Sequence, residues 1–416
     1  MAFRLPNRGR FTPAPIPWNG ACYPKDESRS SLTGGAGGLH NAAVNELPKQ
    51  TDSTLTRSQR PKPRFFAGMQ ELGLIGVIVL LGALFTAFGG STQRRVRDPE
   101  TGKEYHVIRN KFLNVDRLLT LAKNTSFFAI MAIGATVVIV AGGIDLSVAG
   151  IYVLSGLAGA AILHGFGPAG HWLHLPDILV VLVTSAACLG TGALCGTVNG
   201  LGVIGLKLHP FIITLGTMGI FRGIAFVTTK AQSIGQFHPA FVDGLISRRV
   251  QLAGDGSEFI YPIPLFILIA VAVWGSLYLA RTVTGRKLHA IGGNETAARY
   301  AGLPVAQLKA TTYVLAGLMA GIAAMINIGY HGSAASGDGA GYELEVIAAA
   351  VVGGASLSGG RGTALGAVLG ALIIRLIVDG IVILDLDQNY SQIIVGSVIV
   401  AAATLDRVQA VWRARG

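Results

Sequence analysis

The sequence predicts an all-α fold, a polytopic bundle of transmembrane helices with about ten spans and some broken helices. Hydrophobic residues make up 51% of its 416 residues, charged residues only 13%, and glycine occurs 57 times. A soluble domain has about 25% charged residues. Lys and Arg gather in the tails and in loops around apolar runs, which is the pattern of membrane topology. The net charge of +11 therefore does not indicate nucleic-acid binding.

Ten apolar runs are candidates for spans that cross a bilayer. The predicted spans are 71–90, 118–141, 151–163, 178–199, 211–228, 262–280, 308–328, 343–358, 362–383 and 390–406. A straight transmembrane helix needs about 20 mainly apolar residues. The two shortest runs, 151–163 and 343–358, are therefore candidates for broken or tilted helices.

The chain before the first span has a different composition. Residues 1–64 are rich in Pro, Ser, Gly and basic residues and contain no apolar stretch of signal-peptide length. Such a segment cannot bury enough apolar surface to fold. We predict a disordered, basic cytoplasmic tail at 1–64 and a membrane domain at 65–416.

The distribution of Lys and Arg predicts that both termini face the cytoplasm. A basic cluster at 57–64 directly precedes the first span, and basic residues mark the cytoplasmic side. An even number of spans returns the C-terminus to that side. The stretch 91–117 conflicts with this, because seven Lys or Arg outnumber four acids on the outer side. Five basic residues in later positions agree with it: Lys207, Arg286, Lys287, Arg299 and Arg361.

Glycine recurs at every fourth position within several spans. Such spacing forms a smooth helix face that lets another helix approach closely. We expect these faces to serve close packing without chemistry. The sets are Gly192, Gly196 and Gly200; Gly362, Gly366 and Gly370; and Gly317 with Gly321.

Two segments, 142–147 and 353–358, share the pattern GGxxLS. Each follows one apolar helix and precedes another. Paired glycines break a helix, and Asp145 or Ser356 can cap the half-helix that follows. Duplicated breaks at matching positions indicate a transport pathway between structural repeats. A six-residue pattern with four identical positions can also arise by chance.

Ionisable residues within or beside the spans each need a partner or a cavity. Asp145 is either a helix cap at the break or a group that lines the pathway. Arg222 is expected to have a partner on a neighbouring helix. Arg375 and Asp379 are four residues apart on one helix, so we expect them to neutralise each other.

No motif tied to a chemical step is found in the sequence. There is no GxxxxGK[ST] phosphate loop, no HExxH and no GxSxG. Cys22, Cys188 and Cys195 have no metal-ligand spacing, and we expect three free thiols. We therefore predict no enzymatic activity and no cofactor or metal bound by this chain. The energy for transport must come from another subunit or from a gradient.

A short polar segment, 285–304, separates two runs that are each long enough to cross a bilayer. Asn294 is a good N-cap, Glu295 suits the positive end of a helix dipole, and Gly302 and Pro304 suit a helix end. We predict a helix of about two turns outside the lipid. Because so short a helix is not stable alone in water, we expect a partner to hold it. An ordinary capped loop is the alternative.

Four groups of motifs occur in a fixed order between about 110 and 406. They are GIDLS at 143–147; NG at 199–200 with PFIITLGT at 210–217 and RG at 222–223; GGNE at 292–295 through Ala298 to Gly302; and GYELE at 341–345 with GG at 353–354, Leu357 and GGRG at 359–362. Together they resemble the permease subunits of bacterial ATP-binding-cassette (ABC) importers for monosaccharides, the ribose and xylose type. The tail at 1–64 and the charged stretch 91–109 are longer than this family needs.

This resemblance implies a homodimeric permease of about ten spans in the bacterial inner membrane. It would take a sugar such as ribose from a periplasmic sugar-binding protein and pass it inward. Two ABC ATPase subunits would bind on the cytoplasmic side and use the ATP. By the same resemblance, residues 293–302 would be the coupling helix that sits in a groove of the ATPase. The implied partners are thus the ATPase, the binding protein, a second copy of the chain and membrane lipid, with no nucleic acid.

Two groups of candidate site residues follow from the residues and the resemblance. The ATPase-coupling candidates are Gly293, Asn294, Glu295, Ala298, Arg299 and Gly302. The translocation-path candidates are Asp145, Ser147, Asn199, Thr214, Arg222, Ser356 and Ser358.

Two other classes of function are possible for such a chain. A secondary carrier or channel for a small polar solute would work without an ATPase, and flux through this chain alone would reveal it. The spans hold no chain of carboxylates or histidines that needs a proton relay to explain it, which weakens a proton-coupled carrier. A membrane-embedded enzyme or an assembly scaffold is the third class, and the missing catalytic motifs count against the enzyme.

Overall fold

The structure is a computed structural model that describes residues 65–97, 104–172, 175–248, 250–251, 259–260 and 262–415. The tail predicted at 1–64 and Cys22 lie outside the described residues. Cys188 and Cys195 are buried free thiols, so that prediction is confirmed for these two cysteines.

Most described residues belong to helices. The helices are α1 (Phe65–Phe88), α2 (Val115–Val140), α3 (Val148–Gly165), α4 (Asp177–Leu206), α5 (Pro210–Thr229), α6 (Pro239–Phe241) with a π-helical turn (Val242–Ile246), α7 (Pro262–Arg281), α8 (Val283–Gly293), α9 (Glu295–Tyr300), α10 (Val305–His331), α11 (Tyr342–Val352), α12 (Ala364–Ile383) and α13 (Tyr390–Arg415). Two short antiparallel strand pairs join β1 (Ser91–Arg97) to β2 (Glu104–Asn110) and β3 (Val250–Gln251) to β4 (Phe259–Ile260).

Eight described helices, α1 to α5, α7, α10 and α12, are long and apolar enough to cross a membrane. A ninth helix, α13, contains a shorter apolar stretch, Tyr390–Thr404. The span predicted at 343–358 is instead an 11-residue helix followed by a loop. That helix rises about 16 Å, half of a bilayer core of about 30 Å. The predicted class, a polytopic helical bundle with broken helices, is confirmed.

The other short run, predicted at 151–163, is part of α3, which has 18 residues. Its apolar composition continues beyond the predicted bounds on both sides, from Val148 to Gly165. The prediction placed a span correctly here and made it too short.

The two ends of the bundle can be told apart by the loops they carry. The β1–β2 hairpin leads into α2, and Lys111 Nζ binds Asp385 Oδ2 of the loop after α12 at 2.5 Å. We call this the hairpin end. The other end of α2 reaches the segment 285–304, because Gly360 donates a hydrogen bond to Val140 O at 2.9 Å and Gly292 packs against the same carbonyl. We call this the coupling end.

The chain between α10 and α11 turns back into the bundle. Tyr342, the first residue of α11, has its ring 4.5 Å from the ring of Phe128, near the middle of α2. Gly339 lies against the ring of Tyr152 on α3. Segment 332–341 therefore reaches mid-depth from the hairpin end. Non-helical backbone at that depth must be buried in protein or line a cavity.

Glycine allows α4 and α10 to pack backbone against backbone. A methyl group on Gly192 would collide with Gly317 O, and one on Gly196 would collide with Tyr313 O. Gly321 is equally close to the backbone of Cys188. The close packing predicted from the spacing of these glycines is confirmed.

A second glycine face joins the short helix α11 to α12. Gly366 packs against Gly353 O, and Gly370 packs against Ala349 O. Because α11 is too short to cross the membrane, α12 supplies the surface against which it is buried. The third glycine of this set, Gly362, precedes α12 and lies against Val140 and Thr136 of α2.

The charges of α12 do not neutralise each other as predicted. Arg375 Nη1 instead binds Glu345 Oε2 at 3.1 Å, and Asp379 Oδ2 lies 4.0 Å from Arg117 Nε. The physical reason is that α12 packs against both α2 and α11, so each charge reaches an opposite charge on another helix. Two inter-helix pairs replace one local pair.

We predict that Gly196→Ala destabilises the protein, because its methyl group has no space beside Tyr313 O. Overpacking of this kind costs about 1–3 kcal/mol. Gly190→Ala is the matched control, since Gly190 lies on the same helix with nothing within 4 Å of the added Cβ. Thermal unfolding in detergent should show a lower Tm for the first variant only. Equal Tm values for the two variants would contradict this packing.

Candidate coupling surface and translocation path

The segment 285–304 contains the predicted short helix. Asn294 ends α8 and begins α9, and its Oδ1 accepts a hydrogen bond from Ala297 N at 2.9 Å. Gly302 has a φ of +77°, a conformation that glycine adopts without strain. The capped helix is therefore present with the predicted cap and terminator. Helix α8, which continues from α7 almost without interruption, was not predicted.

Glu295 ties α9 to the bundle. Its Oε2 accepts a hydrogen bond from Lys309 Nζ of α10 at 2.5 Å, and its Oε1 accepts one from Arg299 Nη2 at 2.7 Å. These two donors, Lys309 first, hold the pKa of the Glu295 carboxyl below its usual range. The carboxylate therefore stays ionised at neutral pH and keeps both contacts.

One face of α9 packs on the bundle and the other is open. Ala298 is buried with Ile291 and Val305, so its small side chain holds the helix close to the coupling end. Gly293 and Arg299 are exposed. Tyr300 is 89% exposed, and sequence reasoning did not single it out. An exposed aromatic side chain on a short, well-anchored helix is typical of an anchor for a protein partner.

The two GGxxLS breaks meet beside the coupling helix. Gly142 in the first break and Gly359 just after the second both lie against Gly292, the residue two positions before the cap Asn294. A side chain on Gly292 would collide with Val140 O and Gly360 N. Two non-helical segments therefore touch the last turn of α8 at one point, which we call the glycine junction. Sequence analysis paired the two breaks but did not place them against the coupling segment.

Four path candidates form one buried polar network at the first break. Asp145 Oδ1 accepts hydrogen bonds from Ser147 N at 2.9 Å and Ser147 Oγ at 2.6 Å. Asn199 Nδ2 of α4 donates to Ser147 Oγ at 2.6 Å. Thr214 Oγ1 of α5 donates to Pro210 O at 3.0 Å and lies 3.4 Å from Ile144 O. All four candidate side chains are buried, so the network holds α3, α4 and α5 together.

Asp145 acts at the break as a turn-forming residue. It accepts a hydrogen bond from the backbone of Ser147, which itself occupies the N-cap position of α3 and makes no side-chain cap bond. Asp145 therefore does not cap α3 as predicted, because its bond closes a turn that ends before the helix begins. Its role in a pathway stays a prediction. Among the described residues, Asp145 Oδ2 and Tyr313 Oη have no hydrogen-bond partner.

The remaining path candidates lie elsewhere. Arg222 Nη2 donates to Gly339 O at 3.1 Å and lies 4.0 Å from Glu343 Oε2 of α11, which confirms a partner on a neighbouring helix. Ser356 does not cap α12 as predicted. Its Oγ accepts a hydrogen bond from Arg361 Nη2 at 3.3 Å, while Thr363 caps α12.

Ser356 cannot cap α12 because seven residues of loop follow it before the helix begins. Ser358 is exposed in that same loop, away from the Asp145 network. The structure thus divides the seven path candidates among three places. Thr217, whose Oγ1 donates to Asn199 Oδ1 at 2.6 Å, completes the network and was not among the candidates; its place one helical turn from Thr214 was the available signal.

A bundle of long apolar helices with two broken segments, and with a capped helix projecting at one end, defines a multi-pass membrane transport protein. The chain belongs to the family described as the permease component of branched-chain amino acid transport systems, whose model matches residues 117–403. As a permease component, it is a subunit of a larger transport system and not an enzyme.

Curated relatives cover most of the chain. The ribose import permease protein RbsC of Escherichia coli K12 is 35% identical over 299 residues, which are 71% of this chain and 87% of the relative. RbsC of Bacillus subtilis 168 is 36% identical over 72% of this chain and 88% of its own length. The fructose import permease protein FrcC of Rhizobium meliloti is 31% identical over 72% and 80%. No solved structure shows significant similarity to the chain. These relatives support an import permease over a secondary carrier or channel.

Proposed function

We propose that this chain is the membrane permease of an ATP-driven importer of a monosaccharide such as ribose or a related sugar. The chain is similar to sugar import permeases over most of its length, and a capped helix projects from its bundle. The proposal is carried by the agreement of these two findings. A chain without a phosphate-binding loop needs an external source of energy, and the helix α9 provides a surface for it. The energy source would be an ABC ATPase subunit, and a periplasmic sugar-binding protein would deliver the sugar.

The glycine junction supports a mechanism of alternating access. An ATPase that moves α9 would push on Gly292, which touches both broken segments. Because the contacts there are backbone to backbone, little side-chain flexibility is available to absorb the movement. The two breaks would then shift together and open the path to one side or the other. Such a shift requires contacts that differ between the two states.

We predict that the double variant Asn294→Leu, Glu295→Leu folds but uncouples sugar uptake from ATP hydrolysis. It removes the cap of α9, worth about 1 kcal/mol, and the contact to Lys309. The assay uses vesicles that contain the chain with the ATPase and the binding protein that co-purify with it. The stimulation of ATP hydrolysis by sugar-loaded binding protein should fall about tenfold, which corresponds to a loss of roughly 1.4 kcal/mol in the coupling contact.

Asn114→Leu is the matched control, because Asn114 caps α2 by the same type of bond, from Arg117 N at 2.8 Å, at the hairpin end. This variant should keep the stimulation. Full stimulation and uptake in the double variant would count against the proposed coupling. Uptake that needs no ATPase would instead support a carrier.

We further propose that the coupling end faces the cytoplasm and that both termini lie on that side. In a Cys22→Ser background, Asn294→Cys should react with a membrane-impermeant maleimide in inverted vesicles but not in intact cells. Thr92→Cys, at an exposed position of β1, should show the opposite pattern. Labelling of Asn294→Cys in intact cells would place α9 beyond the reach of an ATPase.

A second copy of the chain is the proposed occupant of the open face of α5. Gly216, Gly219 and Gly223 have nothing within 4 Å of an added Cβ, although glycines four apart usually mark close helix packing. Under oxidising conditions, Gly219→Cys should form a disulfide-linked dimer. Gly190→Cys, an equally open position on α4, is the control and should stay monomeric. Equal cross-linking of the two variants would contradict this interface.

A further inference from the structure

A polar cavity lies between α3, α10 and the start of α11. Its volume is about 330 Å³, within the range of small-molecule sites. Its rim is exposed at His331 and Ser333, whereas Tyr152 and Asn327 in its wall are buried. Asp338, Gly339 and Tyr342 complete the lining. The cavity therefore leads from the hairpin end into the interior of the bundle.

The position of the cavity is that of a substrate site in a broken-helix transporter. Its inner wall includes Tyr342, whose ring lies against Phe128 near the middle of α2. Gly341, with a φ of +86°, directs the chain into α11, so the N-terminal end of this half-helix faces the cavity. Ends of discontinuous helices near the bilayer midplane are where transporters bind their substrates.

The lining offers both donors and acceptors of hydrogen bonds. Asn327 is 8% exposed, and its amide makes no hydrogen bond to another described side chain or backbone group. An amide can donate two hydrogen bonds and accept two. Asp338 Oδ2 accepts from Ala335 N at 2.9 Å, which leaves its second oxygen to accept from a ligand. Because Asn327 lines the cavity, its amide is available to a polar occupant.

Two tyrosine rings give part of the same lining an aromatic surface. The rings of Tyr152 and Tyr342 lie 5.7 Å apart at 48°, and Phe128 supports Tyr342 from behind. Arg222 fixes the loop that faces them, because its Nη2 donates to Gly339 O at 3.1 Å. Arg222 is therefore a positioning residue of this cavity.

We propose that this cavity binds one sugar molecule within a single protomer, on its way through the membrane. The proposal rests on the proposed function and names the residues that contact the substrate: Asn327, Asp338 and the hydroxyl groups of Tyr152 and Tyr342. Sugar hydroxyls both donate and accept hydrogen bonds, which matches an amide and a carboxylate that line the same cavity. The less polar face of the sugar ring fits the aromatic wall.

A second, much smaller space of about 10 Å³ adjoins the cavity beside Tyr152 and Asn327, between Gly156 of α3 and Ala324 of α10. This space is close to the minimum for one water molecule. A sugar held in the cavity therefore cannot pass between α3 and α10 at this point until the two helices separate. Gly156 and Ala324 are both small, so a modest movement of the helices is enough to widen the space.

The test is protection of an introduced thiol at the rim. Ser333→Cys in the Cys22→Ser background places a reactive group at an exposed position of the lining, while Cys188 and Cys195 are buried. The full chain in detergent, without ATPase, is labelled with a polar methanethiosulfonate reagent. Ribose or fructose should slow the labelling about tenfold at saturation, and sodium or potassium chloride should not.

Adding Asn327→Leu should abolish this protection, because the side chain keeps its size and loses its hydrogen bonds. Tyr152→Phe should weaken it by removing one hydroxyl group, and serves as the second variant if Asn327→Leu does not fold. Thr311→Val, at an exposed position of α10, is the control and should keep full protection.

Three outcomes overturn the proposal: no protection by either sugar, protection by salt alone, and sugar protection that persists in both cavity variants. The uptake experiment on the complex with the ATPase tests the proposed importer, and its result does not depend on the labelling experiment. Loss of ATP-dependent uptake in the unmodified complex would reject the importer, whereas unprotected Ser333→Cys in a complex that transports sugar would reject only this site.

Discussion

Close contact between backbones at glycine is the interaction on which the rest of this structure depends. Lipid offers no hydrogen-bond partners, so every break in a helix must be covered by other parts of the protein. Glycine makes this possible because no Cβ separates the two chains. It joins α4 to α10, covers the half-helix α11 with α12, and brings both broken segments to Gly292. Side chains of any size at these positions would force the helices apart.

This constraint places the polar features of the bundle. The buried network of Asp145, Ser147 and Asn199 occupies the first break, at the coupling end. The polar cavity occupies the re-entrant segment before α11, nearer the hairpin end. The first break and the re-entrant segment thus each carry a group of polar residues that a continuous apolar helix would have no means to accommodate. The glycine junction links the two GGxxLS breaks to α8 and α9, so the proposed surface for a partner and the broken helices form one connected unit.

The charged residues within the bundle follow from the same packing. Arg375 reaches Glu345, and Arg222 reaches Gly339 and Glu343. Both arginines therefore point at α11 or the loop before it, from helices on different sides. An 11-residue helix cannot be held in a membrane by its length. The other spans are held in the membrane because they are long enough to cross it. These contacts, together with the glycine face of α12, hold α11 in place instead.

The sequence by itself determined the class of protein, nearly all the spans, the capped helix at Asn294 and the glycine faces. Each depends on composition or on local spacing, which are properties of neighbouring residues. Only the tertiary structure decided that Arg375 pairs with Glu345 and not with Asp379, that Thr363 and not Ser356 caps α12, and that the two breaks meet at Gly292. It also showed the cavity at Asn327 and Asp338. These features join residues far apart in the chain, and their contacts depend on how the helices pack, which no local pattern records.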